Sequence, residues 1–143
     1  PGAAPAGAVD LAVVGAHLAG LPLNHQLTGR GARLLRAART APRYRLYALP
    51  DASPPKPGLV RVERGGAAVD VEVWRMPLAG FGEFVAEVPP PLAIGTVTLE
   101  DGHAVKGFLC ETAALAGAAD ITGFGGWRRY LSRPAAAAAA INE

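Results

Sequence analysis

A histidine stands just past the end of a short apolar run, in the segment Val13-Val14-Gly15-Ala16-His17. Histidine exchanges its side-chain proton near neutral pH, so it can act as an acid or a base without a large change in pKa. A loop that leaves a buried strand is also a rigid support for a reactive side chain. His17 is therefore either a catalytic residue or a loop histidine that only bonds a backbone carbonyl, and its position alone does not separate the two.

Tyr44 and Arg45 form a second polar group, within Arg43-Tyr44-Arg45-Leu46-Tyr47. Side chains alternate between the two faces of a strand, so Tyr44 shares a face with Leu46, and Arg45 shares the other with Tyr47. One interpretation directs the Tyr44 hydroxyl into a pocket beside His17. The other, slightly favoured, packs one tyrosine in the core and leaves the other at the surface.

Several reaction classes are not indicated by any motif. His17, His25 and His103 do not have a zinc-site spacing, and no cofactor is expected. The serines lack the Gly-x-Ser-x-Gly context of a nucleophile, and Gly15-Ala16-His17 does not continue into a dinucleotide-binding pattern. Cys110 is the only cysteine, so it forms no internal disulfide and is expected to be a packing residue.

The bulk composition predicts one domain. The chain has 143 residues, half of them hydrophobic, and a formal net charge of only +2. Its basic residues are not concentrated among aromatics, so neither nucleic-acid binding nor a membrane span is expected, and the predicted location is cytoplasmic. Residues 1–8 are interpreted as a linker, residues 9–133 as the domain and residues 134–143 as an alanine-rich tail. Because the sequence has no initial methionine, we expect it to be either a fragment of a longer protein or a processed or trimmed form.

The apolar spacing predicts how these residues are positioned. A strand over residues 9–14 leads into the loop that carries His17. Asn24 is the expected N-cap of a helix that continues to just before Pro42, because apolar residues recur there at helical spacing. Arg30, Arg33, Arg36 and Arg39 would then fan around the outer face of that helix.

The second half of the chain has the pattern of strands with short helices. Predicted elements are a strand over 43–49, a hairpin of 59–63 with 68–74, a helix after Pro77, a hairpin of 95–100 with 103–110 across Asp101-Gly102, and short helices near 112–117 and 126–132. This order predicts an α+β fold with a mixed, largely antiparallel sheet, curled into a small β-barrel with flanking helices.

Several sequence blocks together resemble the C-terminal domain of allophanate hydrolase. They are Val14-Gly15-Ala16-His17-Leu18, Pro22-Leu23-Asn24-His25-Gln26-Leu27, Ala41-Pro42-Arg43-Tyr44-Arg45-Leu46-Tyr47, Pro57-Gly58-Leu59-Val60-Arg61, Ile94-Gly95-Thr96-Val97, Val105-Lys106-Gly107-Phe108-Leu109-Cys110-Glu111 and Asp120-Ile121-Thr122-Gly123-Phe124-Gly125-Gly126-Trp127. The blocks keep the family's order and spacing from about residue 9 to residue 132.

The resemblance implies a γ-glutamylcyclotransferase-like fold. In that superfamily, backbone amides of the loop after the first strand hold an anionic group of the substrate. Gly15 and Ala16 occupy that place, and His17 and Leu18 follow. Cyclotransferases also use an acid/base glutamate, but Glu83 and Glu87 lie in no recognisable motif, so cyclotransferase activity is not expected.

The resemblance also implies a reaction. An amidase domain on the same polypeptide would produce N-carboxycarbamate, and this domain would assist its decarboxylation with His17 as the catalytic residue. Asn24, Tyr44 and Arg45 are the further expected contacts to this small dicarboxylate. The alternatives are a non-catalytic domain that stabilises or dimerises the amidase, through Phe124 and Trp127 for example, and a cyclotransferase-like enzyme.

Overall fold

The computed structural model describes residues 3–134. Residues 1–2 of the predicted linker and residues 135–143 of the predicted tail lie outside this described part. The elements are β1 (Ala8–Val13), α1 (His25–Thr28), β2 (Arg33–Arg39), β3 (Tyr44–Ala48), β4 (Pro57–Arg61), β5 (Asp70–Pro77), α2 (Leu78–Ala86), β6 (Leu92–Thr98), β7 (Ala104–Cys110), β8 (Ala119–Asp120) and α3 (Trp127–Leu131). No helix in residues 3–134 has the length and apolar character needed to cross a membrane.

The strands form two sheets. The larger has the order β2-β5-β1-β7-β6, and the smaller has the order β4-β3-β8. β1 lies at the centre of the larger sheet, antiparallel to β5 and parallel to β7. Three consecutive residues at its end, Leu11 to Val13, are almost completely buried, so the loop that follows starts from a fixed point. This confirms the mixed, largely antiparallel α+β architecture.

The predicted closed barrel is not found among the described strands. The edge strands β2 and β6 approach each other only beyond their ends, where an isolated bridge joins Thr40 and Leu99. The Ala41 amide donates to the Thr98 carbonyl at 2.9 Å, and the Glu100 amide donates to the Arg39 carbonyl at 2.8 Å. Because these bonds do not continue into a ladder, the larger sheet curls but stays open.

The predicted helix between Asn24 and Pro42 is wrong for most of its length. It is limited to the single turn of α1, and β2 pairs with β5 instead. The register shifts between Leu34 and Arg36, so Leu35 is the extra residue of a β-bulge. A bulge interrupts the alternation of apolar and polar residues, and the remaining pattern imitates helical spacing. Arg33, Arg36 and Arg39 therefore lie along a strand and not around a helix, and Arg30 lies in the turn between α1 and β2.

The two predicted hairpins have opposite outcomes. β6 and β7 pair across the Asp101-Gly102 turn, which confirms that hairpin. The predicted pairing of residues 59–63 with 68–74 is wrong, since β4 pairs with β3, and β5 uses both of its edges for β1 and β2. The helix after Pro77 is confirmed as α2 and the strand near Tyr44 as β3.

The smaller sheet packs closely against β7 at Gly58, where there is no space for a side chain. A Cβ placed at Gly58 would lie 2.8 Å from Sγ of Cys110. Cys110 is buried at this contact, as expected for a packing residue, and burial raises the pKa of its thiol. The contact holds the start of β4 against the end of β7, on the side of the fold where the loop after β1 lies.

Candidate functional site

The loop after β1 is a series of tight turns. The Leu18 amide donates to the Gly15 carbonyl at 3.0 Å, and the Leu23 amide donates to the Ala16 carbonyl at 2.9 Å. Gly15 packs directly on Pro57, and a Cβ at Gly15 would lie 2.3 Å from Cδ of that ring. Glycine is required here because no side chain fits between the loop and the start of β4. The loop is thereby fixed against the smaller sheet.

Two side chains hold the loop from its other sides. Nδ2 of Asn24 donates to the His17 carbonyl at 2.7 Å, and Oε1 of Glu72 accepts the Ala19 amide at 2.8 Å. The other Glu72 oxygen, Oε2, accepts from Arg128 at 3.0 Å, and Arg128 also donates to the Ala19 carbonyl. The backbone on both sides of Leu18 is therefore held by Asn24, which directly precedes α1, and by polar groups from β5 and α3.

His17 is only 8% exposed and packs against two phenylalanine rings that also contact each other. Its imidazole stacks on Phe108 with 4.8 Å between ring centroids, and meets Phe84 edge to face at 5.2 Å. These rings restrict the orientation of the imidazole, and Phe108 covers one of its faces. The side chain is therefore positioned as a catalytic group would have to be.

Burial lowers the pKa of His17 below its ordinary value of 6.5, because the charged imidazolium loses hydration. The hydrogen bond with Gln26 opposes this shift, and the positive charge of Lys56 adds to it. Nε2 of His17 lies 2.9 Å from Oε1 of Gln26, so the neutral ring carries its hydrogen on Nε2. Nδ1 is then the nitrogen that can take up a further proton.

His17 faces a cavity of about 210 Å³, large enough for a ligand of a few non-hydrogen atoms. Polar and charged groups occur on only part of its wall. The lining residues are His17, Leu23, Gln26, Ser53, Pro54, Lys56, Phe84, Glu87, Val88, Pro89, Leu92 and Phe108. A much smaller hollow, next to the same cavity, is bordered by Gly15, Ala16, His17 and Lys56.

Two residues that border this smaller hollow have unused backbone donors. Within residues 3–134, the amides of Gly15 and Ala16 donate to no protein acceptor. Successive free amides on a tight turn are a common way to bind an oxyanion. His17, Gly15 and Ala16, three of the four loop residues expected from the sequence, therefore border the cavity or the hollow beside it.

The other four predicted contacts lie away from the cavity. Leu18 is turned into the core, and Asn24 supports the loop backbone rather than capping α1. Tyr44 is 1% exposed, and its hydroxyl accepts from the Thr98 amide at 3.0 Å, which is the core position favoured for one tyrosine. Arg45 pairs with Asp120 at 2.7 Å on the smaller sheet. All four side chains therefore make contacts within the fold and do not border the cavity.

Sequence reasoning missed Lys56, Phe84 and Phe108, and did not single out Gln26. Lys56 could have been identified from the sequence, because it is the one charged residue in the segment Ala52-Ser53-Pro54-Pro55-Lys56-Pro57. Phe84 and Phe108 could not have been identified, since no local sequence feature distinguishes an apolar residue of a cavity wall from one of the core.

The described residues contain no group of three or more His, Cys, Asp or Glu side chains that could hold a metal ion. Of the two glutamates considered for acid/base chemistry, Glu87 borders the cavity and Glu83 does not. Glu87 is 2.8 Å from Arg30, which neutralises its charge.

Comparison with known proteins gives a consistent result. The family described as the allophanate hydrolase C-terminal domain matches residues 9–132. A urea amidolyase of Lachancea kluyveri is 47% identical over 135 residues, which are 92% of this chain and 7% of that protein. An allophanate hydrolase of Kluyveromyces lactis superposes with a TM-score of 0.83 at 50% identity, covering 86% of this chain and 21% of the other.

A smaller relative is matched over nearly its whole length. A uropathogenic E. coli-specific protein has a TM-score of 0.82 at 39% identity, and the match covers 89% of this chain and 98% of that one. An AIG2-like protein from mouse, with 17% identity and a TM-score of 0.55, shares the fold alone. The chain therefore corresponds to a small part of the two larger relatives and to almost all of the E. coli protein.

Proposed function

The chain belongs to the allophanate hydrolase C-terminal domain family, and on that premise we propose that it assists the decarboxylation of N-carboxycarbamate, with His17 as the proton donor. The observation that carries this proposal is the position of His17, a buried imidazole next to two free loop amides at a cavity of about 210 Å³. The volume suits a substrate with two carboxylates on one nitrogen.

The reaction needs one proton. The bond between nitrogen and one carboxylate carbon breaks, the electron pair stays on nitrogen, and the carboxylate leaves as CO2. Transfer of a proton from the His17 imidazolium to this nitrogen gives carbamate and neutral imidazole. General acid catalysis of this kind avoids a nitrogen anion and typically contributes 10²–10⁴-fold, as an order of magnitude.

The lowered pKa of His17 is compatible with this role because the substrate is a dianion. In the free domain the imidazole is mostly neutral at pH 7, since burial disfavours its charge. A dianion bound next to the ring favours the imidazolium and raises the pKa of His17. Substrate binding would thus favour protonation of the imidazole, and this proton is the one that the reaction consumes.

The amides of Gly15 and Ala16 are the proposed contacts to a substrate carboxylate. Two charge-assisted hydrogen bonds from a fixed loop would hold one carboxylate without a further side chain. The substrate itself would come from an amidase domain, and the relatives named urea amidolyase and allophanate hydrolase are much longer than this chain.

A direct test combines the 143-residue chain with an amidase that hydrolyses allophanate. Release of ammonia and of ¹³CO2 from labelled allophanate is followed on the same sample, by enzymatic assay and membrane-inlet mass spectrometry. We expect wild-type chain to shorten the delay between ammonia and CO2, and His17→Asn to leave the delay as long as with amidase alone. Equal delays with wild type, His17→Asn and no added chain would contradict the proposal.

The same samples test the alternatives. A non-catalytic domain would bind and stabilise the amidase equally well with His17 or with Asn at this position. A cyclotransferase would release 5-oxoproline from γ-glutamyl compounds, which we do not expect because Glu87 is paired with Arg30.

A further inference from the structure

Lys56 lies at the point where the loop and the cavity meet. It directly precedes β4, and its carbonyl accepts the Leu49 amide at 3.1 Å. The next residue, Pro57, is the one packed on Gly15. Lys56 borders both the larger cavity and the hollow beside the free amides. Its backbone is thus held in place relative to the loop that carries His17.

No residue between 3 and 134 neutralises the charge of Lys56. Nζ has no hydrogen bond or ion pair with any residue of the part that the structure describes. The only carboxylate bordering the cavity there is Glu87, which Arg30 pairs. A half-buried cation next to free amides makes this end of the cavity a site for an anion.

The opposite character is found on the wall made by Phe84 and Phe108. Both rings are at most 5% exposed, and Val88, Pro89 and Leu92 extend the apolar surface. An ionised carboxylate is poorly stabilised against such a wall, whereas neutral CO2 is not penalised there. Phe108 and Leu92 also border the hollow beside the free amides, whereas Phe84, Val88 and Pro89 do not. The cavity wall therefore has a charged part at Lys56, suited to a carboxylate that keeps its charge, and an apolar part around Phe84, suited to a carboxylate that leaves as neutral CO2.

We propose that Lys56 binds the carboxylate that the product retains, and that the carboxylate lost as CO2 lies against Phe84 and Phe108. This rests on the proposed function and deepens it by assigning the two carboxylates to the charged and the apolar part of one cavity wall. The retained carboxylate keeps its charge throughout, so a cation there binds substrate and transition state alike. A cation on the departing carboxylate would instead oppose the movement of electrons towards nitrogen.

Binding of malonate tests the anion site without any turnover. Malonate has the same two carboxylates but no nitrogen to protonate, and its affinity for the 143-residue chain is measured by calorimetry. We expect Lys56→Met to weaken malonate binding about tenfold or more, and Lys56→Arg to keep most of it. Lys106→Met is the matched control, because this exposed lysine bonds Thr96 and does not border the cavity.

The pKa of His17, measured by NMR, also depends on the charge of Lys56. The charged and polar groups around its ring are Lys56 and His25, which lower its pKa, and Gln26, which raises it, with the paired Glu87 across the cavity. Lys56→Met should therefore raise the pKa of His17, Lys56→Arg should leave it nearly unchanged, and Lys106→Met should have no effect. A loss of malonate binding caused only by altered folding would not produce this pattern.

The coupled CO2 assay separates the two carboxylates. Loss of a contact that is equal in substrate and transition state raises KM and leaves kcat within about twofold. Turnover is compared at the plateau of each protein's pH profile, so that the change in the pKa of His17 does not contribute. Faster turnover in Lys56→Met under that condition would place Lys56 on the departing carboxylate and overturn the assignment. Unchanged malonate affinity in Lys56→Met, or no binding to wild type, would overturn the anion site itself. Malonate binding with no His17-dependent CO2 release would instead remove only the proposed reaction.

Discussion

The Nε2 atom of His17 lies 2.9 Å from Oε1 of Gln26, and this contact joins the loop after β1 to the first turn of α1. It sets which nitrogen of the buried ring carries the hydrogen. It also partly offsets the loss of hydration, because a hydrogen bond to Gln26 favours the charged imidazolium. The acidity of His17 is thus adjusted by a residue that is itself part of the cavity wall.

Substitution of Gln26 should move the pKa of His17 in a predictable direction. Gln26→Leu removes the hydrogen bond and should lower the pKa further, whereas Gln26→Glu adds a negative charge and should raise it. The measurement is an NMR titration of the His17 ring protons, with exposed His103 as the internal reference. Identical titration curves in wild type and Gln26→Leu would show that the contact does not tune the ring.

His17 should make the folded domain sensitive to mild acid. The folded state holds its pKa below 6.5, so between that lowered pKa and 6.5 the unfolded chain binds more protons. Stability should therefore be constant with respect to this group above about pH 6.5 and fall as the pH decreases below it, by at most about 1.4 kcal/mol per pH unit.

The check is urea unfolding of wild type and His17→Gln at several pH values from about 7 to 5, where the variant should lose less stability. Asp101 and Asp120 also have lowered pKa values, but their carboxylates protonate only at lower pH. Parallel stability profiles for the two proteins across this range would be inconsistent with a buried neutral His17.

Gly15→Ala should destabilise the domain, because the added Cβ would lie 2.3 Å from Cδ of Pro57. Overpacking of this kind typically costs about 1–3 kcal/mol, and here it would also displace the free amides. Gly82→Ala is the matched control, since no atom lies within 4 Å of its added Cβ and alanine favours helix α2. Chemical denaturation should show a lower free energy of unfolding for Gly15→Ala and a higher one for Gly82→Ala than for wild type. Equal changes in the two variants would refute the close approach of Gly15 and Pro57.

Glu72→Ala should loosen the loop from the side of β5. It leaves the Ala19 amide and the Trp74 indole N–H without their acceptor, and loss of such partners should cost about 2 kcal/mol. Glu83→Ala is the control, because that side chain is 70% exposed and its pairing with Arg30 should contribute little. Unfolding followed by tryptophan fluorescence compares them, and a cost for Glu72→Ala no larger than for Glu83→Ala would contradict this anchoring.

Local signals predicted the elements whose patterns were uninterrupted. The Asp101-Gly102 turn and the alternating residues beside it predicted the β6–β7 hairpin, and the apolar run before Gly15 predicted β1. The prediction failed at β2, where the bulge at Leu35 disturbed the alternation, and at β4, which pairs with the strand before it instead of the segment after it. Both neighbours are near β4 in sequence, and a hairpin signal without a strong turn cannot decide between them.

The candidate site divides in the same way. Gly15, Ala16 and His17 are consecutive residues: the position of His17 after a buried strand made it a candidate, and the family resemblance added Gly15 and Ala16. Asn24, Tyr44 and Arg45 have side chains suited to a substrate, but tertiary contacts use them for the loop backbone, the core and an ion pair. A polar side chain binds whichever partner the fold brings nearest, and its residue type alone does not identify that partner.

The amino-acid order by itself thus determined the mixed fold class, the strand that supports the loop and the histidine at the loop's centre, because each depends on neighbours along the chain. Only the tertiary structure forms the cavity and gives its wall a charged and an apolar part, because Lys56, Phe84 and Phe108 come from three distant segments. Only their approach around His17 removes water from the ring, and this desolvation, which no local pattern contains, is the main cause of its lowered pKa.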